Sequence, residues 1–326
     1  MQPAIWEVLI EMFKYILKRI LIMIPVLIGI TIVDYAIMNL AGSPLSMLAG
    51  PRVSEASIAV KQAKLGLDKP VIVQYFMWVK ELLHGNLGYS IQNYQPVKTL
   101  IGSHIGPTLL LMGSSLIVGL IIALPIGIYS ALHPYTKRDY SLVAISFIGT
   151  SIPSFFLALV LIYIFTVKLG VLPSSGMTTL GGNGGFADVF RHMIMPVLVL
   201  AVSTSGYFIR YIRSAFLEVL GMDYLRTARA KGLSRFRIIG KHAFRNALIP
   251  IVTIIGMQIP TLFGGAVIVE QMFGWPGLGL ITMNAIIARD YPVIMGVCLL
   301  TAVVVLAANL ITDIVYALVD PTIKYS

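Results

Sequence analysis

Long apolar stretches separated by short polar segments dominate the pattern of this chain. A helix needs about 20 mostly apolar residues to cross roughly 30 Å of hydrocarbon. Six stretches meet this requirement, at about residues 20–39, 108–132, 142–167, 193–212, 248–272 and 293–318. The 326 residues are 57% hydrophobic and only 12% charged, whereas about a quarter of a soluble domain is charged. The pattern predicts an all-α integral membrane protein with about six transmembrane helices.

The N-terminal segment predicts a helix on the membrane surface, followed by a retained first span. Within residues 1–19, the apolar positions Ile5, Leu9 and Ile16 recur at helical spacing among charged residues, as in an interfacial helix. The apolar run 20–39 is too long for the core of a cleaved signal, and no small-residue cleavage site stands out. We therefore assign 20–39 as span one.

Residues 40–107 are too many for a plain connector between two spans. The pattern predicts one helix over 54–65, stopped by Gly66, and a second, amphipathic helix over 71–83. We expect a helical extracytoplasmic cap between spans one and two. The transmembrane core then covers 108–318 and holds spans two to six.

The distribution of Lys and Arg predicts the orientation. With the N-terminus inside, the inside segments are about 1–19, 133–141, 210–246 and 319–326, and they hold 15 of the 24 Lys and Arg residues in about 73 positions. The outside segments hold nine in about 112 positions. Both termini, including the tail 319–326, are therefore expected in the cytoplasm.

The remaining composition excludes several kinds of site. The formal net charge is +10, but the basic residues flank apolar spans, which favours topology and contact with anionic membrane lipid over nucleic acid. The only cysteine, Cys298, excludes a disulfide scaffold. The five histidines are scattered over both sides without ligand spacing, so no metal site is expected.

A basic cytoplasmic loop, residues 214–246, is the most informative segment. Its pattern predicts one helix over 215–230 and another over 235–245, with Gly232 between them. Glycine can take the left-handed conformation that ends a helix and redirects the chain. An amphipathic, basic, kinked element suits a groove on a partner protein. It also suits a loop that rests on anionic phospholipid, and the pattern alone leaves both open.

This loop resembles the signature of the integral membrane subunits of bacterial and archaeal ABC importers, and more narrowly the dipeptide/oligopeptide/nickel permease branch. The general importer signature begins Glu-Ala-Ala, whereas this chain has Arg226 and Thr227 at the first two positions, a departure that is similar to the peptide branch. The residues that fit that branch are Tyr224, Thr227, Ala228, Arg229, Ala230, Lys231, Gly232, His242, Ala243, Arg245, Asn246 and Ala247.

The resemblance extends over nearly the whole chain. Residues 65–70, 85–90, 273–279 and 289–292 resemble segments of the family. The long outer loop after span one resembles the first permease of the usual pair.

The resemblance implies a type I importer permease fold and a division of labour among subunits. Its partners would be a second homologous permease, two ATP-binding cassette subunits and an extracytoplasmic solute-binding protein, in a prokaryotic inner or plasma membrane. ATP and Mg would be bound by the ATPase subunits, with no cofactor on this chain. The residues implied in coupling to the ATPases are Tyr224, Thr227, Ala228, Arg229, Ala230, Lys231, Gly232 and Leu233. Of these, Tyr224, Ala228 and Leu233 would be buried in the ATPase groove.

The sequence predicts no catalytic residue on this chain. The nearest fragment to a phosphate-binding loop, residues 240–242, lacks the preceding glycine and the hydroxyl that would hold Mg²⁺. Ionisable or amide side chains within spans are candidates for the pathway or its gate: Glu270 at the outer end of span five, Gln258 and Asp34. Each residue also has a structural alternative. Glu270 could form an ion pair with Arg289 or Arg191, and Gln258 and Asp34 could form hydrogen bonds within or between helices.

Three other classes of function stay open at this point. Importers of nickel chelates, glutathione or oligosaccharides share the predicted architecture. A secondary transporter driven by an ion gradient would show paired carboxylates or discontinuous helices in an inverted repeat, and the hydropathy shows no such symmetry. A membrane-embedded enzyme would need clustered catalytic residues.

Overall fold

The computed structural model describes residues 5–42, 68–182 and 184–319, and within these ranges the elements are helices. They are α1 (Ile5–Leu40), α2 (Val71–Leu83), α3 (Val97–Leu132), α4 (Lys137–Ser151), α5 (Ser154–Leu161) with π-helical turns over Ile162–Lys168, α6 (Phe186–Leu220), α7 (Asp223–Ala230), α8 (Arg235–Arg237) with π-helical turns over Ile238–Ala243, α9 (Phe244–Met272), α10 (Leu278–Ile287) and α11 (Tyr291–Val319).

Four long helices and two bent helix pairs are candidate membrane spans. Four are single stretches long and apolar enough to cross a membrane: Phe13–Leu40, Val97–Leu132, Phe186–Leu220 and Tyr291–Ile314. Two more are bent pairs, Lys137–Ser151 with Ser154–Lys168 at 94° and Arg235–Leu248 with Pro250–Pro260 at 45°. Counting each pair as one span confirms the prediction of about six.

The sharp bend in the third span has a local cause in Pro153. Proline lacks a backbone N–H and forces the residue before it out of the helical region. Ile152 accordingly has φ −72° and ψ 121°, and α5 starts afresh after Pro153. The predicted run 142–167 is therefore two helices rather than one.

The start of the chain differs from the prediction. The expected boundary between a surface helix over 1–19 and a span over 20–39 is absent, because α1 continues without a break from Ile5 to Leu40. The cationic residues Lys14, Lys18 and Arg19 are good helix formers, so nothing in the backbone ends the helix there. The predicted cap helix over 54–65 lies outside the described residues.

The contacts divide the chain into two compact units. Among the described residues, the first unit is drawn from the ranges 1–16, 109–275 and 307–326, and the second from 17–108 and 276–306.

Small residues set the helix spacing in the first unit. A Cβ added at Gly206 of α6 would lie 2.5 Å from the carbonyl oxygen of Ser146 in α4. A Cβ at Gly127 of α3 would lie 2.8 Å from a methyl of Ile212 in α6. Glycine at these positions lets the helix backbones approach closely, as is common between helices in membranes.

A buried carboxylate organises the second unit. Asp290, which is 2% exposed, accepts hydrogen bonds from the hydroxyl of Ser90 and from the backbone N–H groups of Ile91 (3.1 Å) and Gln92 (3.3 Å). Glycines at 85 and 88 take positive φ values on the way to this turn. The connection between α2 and α3 is thus fixed to the segment before α11.

We predict that Gly206→Ala lowers the free energy of unfolding by about 1–3 kcal/mol, because the new methyl group must displace backbone of α4. The control is Gly113→Ala in α3, where a Cβ meets nothing within 4 Å. Unfolding in mixed micelles with increasing SDS measures both variants. Equal stability of Gly206→Ala and the unchanged chain would show that α4 and α6 are not in close contact.

Candidate coupling surface

The chain leaves α6 through a turn that the sequence pattern did not reveal. The predicted single helix over 215–230 is wrong, since α6 ends at Leu220 and Met222 is extended, with φ −72° and ψ 141°. Residues 215–220 complete α6, and α7 covers only Asp223–Ala230. The predicted second helix over 235–245 is not separate either, because the helical backbone continues from Arg235 through the π turns into α9.

Gly232 ends α7 in the expected left-handed conformation, with φ +78°. The N–H of Gly232 donates to the carbonyl of Arg229 at 3.0 Å, and the N–H of Leu233 donates to that of Ala228 at 3.3 Å. This pair of bonds is the Schellman motif, which satisfies the last carbonyls of a helix when the next residue has positive φ. The direction in which the chain leaves α7 is therefore fixed by the backbone at Gly232.

The apolar side of α7 faces the protein itself. Leu225 and Ala228 are buried in one hydrophobic cluster with Phe216 of α6 and with Ile238 and Ala243 of the π turns. Leu233 is half-buried and packs against the same cluster. The prediction that Ala228 would be buried in a partner's groove is therefore wrong, since this chain already covers it.

A second set of apolar side chains remains exposed on this segment. Met222, Tyr224 and Phe236 project outward, and Phe236 is 89% exposed. The exposed cations around them are Arg226, Arg229, Lys231, Arg235 and Arg237. We call these eight residues the docking surface. Tyr224 was predicted to contact a partner. Phe236 was not predicted, although an aromatic residue between two arginines in a basic loop is typical of a contact surface.

A cleft of about 670 Å³ opens beside the docking surface. Its lining comes from the end of α3, the end of α6 and the π turns, and includes Leu132, Leu217 and Ile239. Arg229 and Arg235 also line it. An apolar cleft that carries two guanidinium groups suits a partner that presents an apolar side chain beside a carboxylate.

A buried ion pair fixes the helices behind the docking surface. Nε and Nη2 of Arg213 in α6 donate to the two carboxylate oxygens of Asp139 in α4, at 2.7 and 2.6 Å. The hydroxyl of Ser130 and the backbone N–H of Tyr135 donate to the same carboxylate. Bidentate, charge-assisted bonds are among the strongest in proteins. This cluster therefore ties α3, α4 and α6 together, two turns before α6 ends.

The pathway candidates fall at different places. Glu270 is fully buried, and its backbone carbonyl accepts from the N–H of Trp275 at 2.9 Å. The Glu270 side chain thus lies within the packed protein, and its role in the pathway or its gate stays a prediction. Gln258 interacts with the side chain of Tyr207 of α6, and its role in the pathway stays a prediction. Asp34 is half-buried in α1, and its role stays a prediction.

Two family models cover most of the chain. Residues 123–325 match the model described as the inner membrane component of binding-protein-dependent transport systems. Residues 12–111 match the model for the N-terminal part of the membrane component of such systems.

Curated relatives match over 96% of this chain. The oligopeptide transport system permease protein AppB of Bacillus subtilis (strain 168) is 45% identical, with 100% of its length covered. The glutathione transport system permease protein GsiC of Salmonella typhimurium is 38% identical, also over 100% of its length. The dipeptide transport system permease protein DppB of Escherichia coli (strain K12) is 36% identical over 99% of its length.

A solved structure shows the same fold. The MetNI methionine ABC transporter in an inward-facing conformation contains a chain that aligns with a TM-score of 0.57 and 22% identity. The alignment covers 68% of this chain and 97% of that chain. The fold is that of a type I ABC importer permease.

We predict that Asp139→Asn lowers the free energy of unfolding by about 3 kcal/mol, because Arg213 loses its counter-charge within the protein. The control is Asp223→Asn, which removes the ion pair between Asp223 (92% exposed) and Arg226 (79% exposed). This change should lower the free energy of unfolding by less than about 1 kcal/mol, because exposed ion pairs contribute little. Thermal denaturation in detergent distinguishes the two. A similar small loss in both variants would mean that the Arg213 pair is screened by water.

Proposed function

Since the chain belongs to the family of binding-protein-dependent transport system inner membrane components, we propose that it is a membrane-spanning permease subunit of an ATP-driven importer for peptides. It forms half of the translocation pathway. A second homologous permease forms the other half, and an extracytoplasmic binding protein delivers the peptide. The docking surface transmits the movement of two ATP-binding cassette subunits, which bind ATP and Mg.

The observation that carries this proposal is the division of the 222–239 segment into an inner and an outer side. The inner side, Leu225 and Ala228, is held in the core of the first unit. The outer side presents Tyr224 and Phe236 among cations. A segment that only rested on lipid would not need the core anchor. A partner that pushes on the outer side therefore acts directly on α6 and α9, which is how a rigid-body motion becomes a rearrangement of helices.

Peptide cargo is supported by the relatives. The three curated relatives above are named for oligopeptides, dipeptides and glutathione, which all contain peptide bonds. Nickel chelates and oligosaccharides remain alternative cargo for the same type of importer. The orientation with both termini in the cytoplasm is part of the proposal, because the docking surface must face ATP.

Affinity purification of the tagged full chain from native membranes tests the assembly. We expect a second permease and two ATPase subunits to co-elute, and the reconstituted complex to accumulate dipeptides or oligopeptides in liposomes when ATP is supplied on the docking-surface side. A chain that elutes alone under mild detergent would contradict the proposal. Uptake driven by an ion gradient without ATP would favour a secondary transporter.

We predict that Phe236→Ala weakens binding of the ATPase subunits by about 30-fold, because an exposed aromatic anchor at an interface contributes roughly 2 kcal/mol. The control is Phe186→Ala at the start of α6, which removes an equally exposed phenylalanine, 87% against 89%, outside the docking surface. Titration of the solubilised permease with ATPase subunits measures both. Equal binding by the two variants would place the contact elsewhere.

We predict that Gly232→Val leaves membrane insertion intact but uncouples transport from ATP hydrolysis. A β-branched residue strongly disfavours φ +78°, so the angle at the end of α7 must change. The control is Gly240→Val, in the π turns of the same segment, where φ is not positive and a Cβ meets nothing within 4 Å. Uptake per ATP hydrolysed should fall in Gly232→Val only, and normal uptake in that variant would disprove the role of the turn.

A further inference from the structure

One side of α2 is held against α1 by polar and aromatic contacts. The hydroxyl of Tyr35 donates to Oε1 of Gln74 at 3.1 Å, and the hydroxyls of Thr31 and Tyr75 lie 3.0 Å apart. The rings of Tyr35 and Tyr75 meet edge to face, with centroids 5.6 Å apart. Trp78 lies beside Tyr35 at 6.2 Å. These contacts fix where along α1 the helix α2 lies.

That position is within the apolar span rather than beyond its end. Tyr35 and Thr31 precede Leu40 by five and nine residues, or about 8 and 14 Å at 1.5 Å per residue. The span Phe13–Leu40 has 28 residues and is therefore about 42 Å long, against roughly 30 Å of hydrocarbon. A centred span leaves about 6 Å outside the hydrocarbon at each end. Both contact points then lie at or inside the hydrocarbon boundary.

A second side of α2 is an apolar stripe that none of the described residues covers. Ile72, Phe76 and Leu83 are 70%, 64% and 82% exposed. Their spacings of four and seven residues place them on one side of the helix. Glu81 is nine residues from Ile72, or two and a half turns, and so lies on the opposite side. The neighbouring part of α1 is also apolar and exposed, at Ile32 and Val33.

We propose that α2 lies in the plane of the membrane, within the leaflet at the Leu40 end of α1, with its apolar stripe in contact with lipid acyl chains. The face with Tyr75 and Trp78 packs on α1, the stripe faces hydrocarbon, and Glu81 faces water. Lys80, four residues after Phe76, extends its ammonium group to the lipid headgroups. Tyr and Trp at this level are typical of the membrane interface.

Under this proposal, the α2 part of the predicted extracytoplasmic cap anchors the chain to the membrane surface. An in-plane helix with an apolar face of this kind binds the interface through its buried apolar area. Because α2 continues into the turn that Asp290 holds, the anchor fixes the entry to α3 as well as the end of α1. The proposal is independent of the cargo and of the ATPase subunits.

Site-directed spin labelling tests the proposal on the full chain, purified with its co-eluting subunits and reconstituted into liposomes of phosphatidylethanolamine and phosphatidylglycerol. In a Cys298→Ser background, labels are placed by Ile72→Cys, by Leu83→Cys as a second stripe position, and by Glu81→Cys as the control. For each label, the collision rate is measured with oxygen, which partitions into hydrocarbon, and separately with a water-soluble nickel chelate.

We expect the oxygen-to-nickel collision ratio at 72 and 83 to exceed that at 81, because the apolar side of an interfacial helix is buried at the acyl boundary. A nickel-chelate collision rate at 72 and 83 equal to that at 81 would place the stripe in water and overturn the proposal. Protection of 72 and 83 from both reagents would show that protein covers the stripe, either residues 43–67 or another subunit, and would also overturn it. The readout does not depend on transport, so failure of this proposal is distinct from failure of the proposed function.

Discussion

Hydrocarbon offers no hydrogen-bond partner to the backbone, and this constraint shapes every element of the chain. Each segment that crosses the membrane must satisfy its N–H and C=O groups internally, which only helices achieve in a single chain of this pattern. The sharpest break, at Pro153, occurs where a backbone N–H is already missing. Turns with positive φ, such as Gly232, lie in the connections between spans.

The proposed role of the docking surface depends on the core behind it. Leu225 and Ala228 fix α7 to the cluster that holds Phe216 and Ile238, and the Asp139–Arg213 pair fixes α6 to α3 and α4. In the proposed mechanism, a force on the docking surface passes through these packed side chains and the bidentate ion pair. Close-packed interiors respond to displacement by discrete repacking rather than by gradual deformation.

Much of this architecture could be predicted because hydropathy and charge report directly on the membrane. The six spans followed from apolar length, and the left-handed turn at Gly232 followed from its position between two helical patterns. The features that the sequence did not reveal depend on contacts between distant residues. The sequence predicts that Ala228 contacts a partner, and only the fold shows that Ile238 and Ala243 cover it. Glu270 reads as a carboxylate at a span end, but its burial depends on tertiary packing. Asp139 and Arg213 are 74 residues apart, so no local pattern joins them.

The two buried aspartates show how each unit solves the same problem at the ends of its helices. A chain that turns between spans leaves backbone N–H groups without helical partners. Asp139 accepts from the N–H of Tyr135 and the hydroxyl of Ser130, and Asp290 accepts from the N–H groups of Ile91 and Gln92 and the hydroxyl of Ser90. A carboxylate can accept several such bonds at once, so one residue orders a whole turn. Asp139 is also paired with Arg213, which makes its turn part of the rigid support of the docking surface. Asp290 orders the turn that joins α2 to α3, so the anchor proposed for α2 has a fixed connection to the rest of its unit.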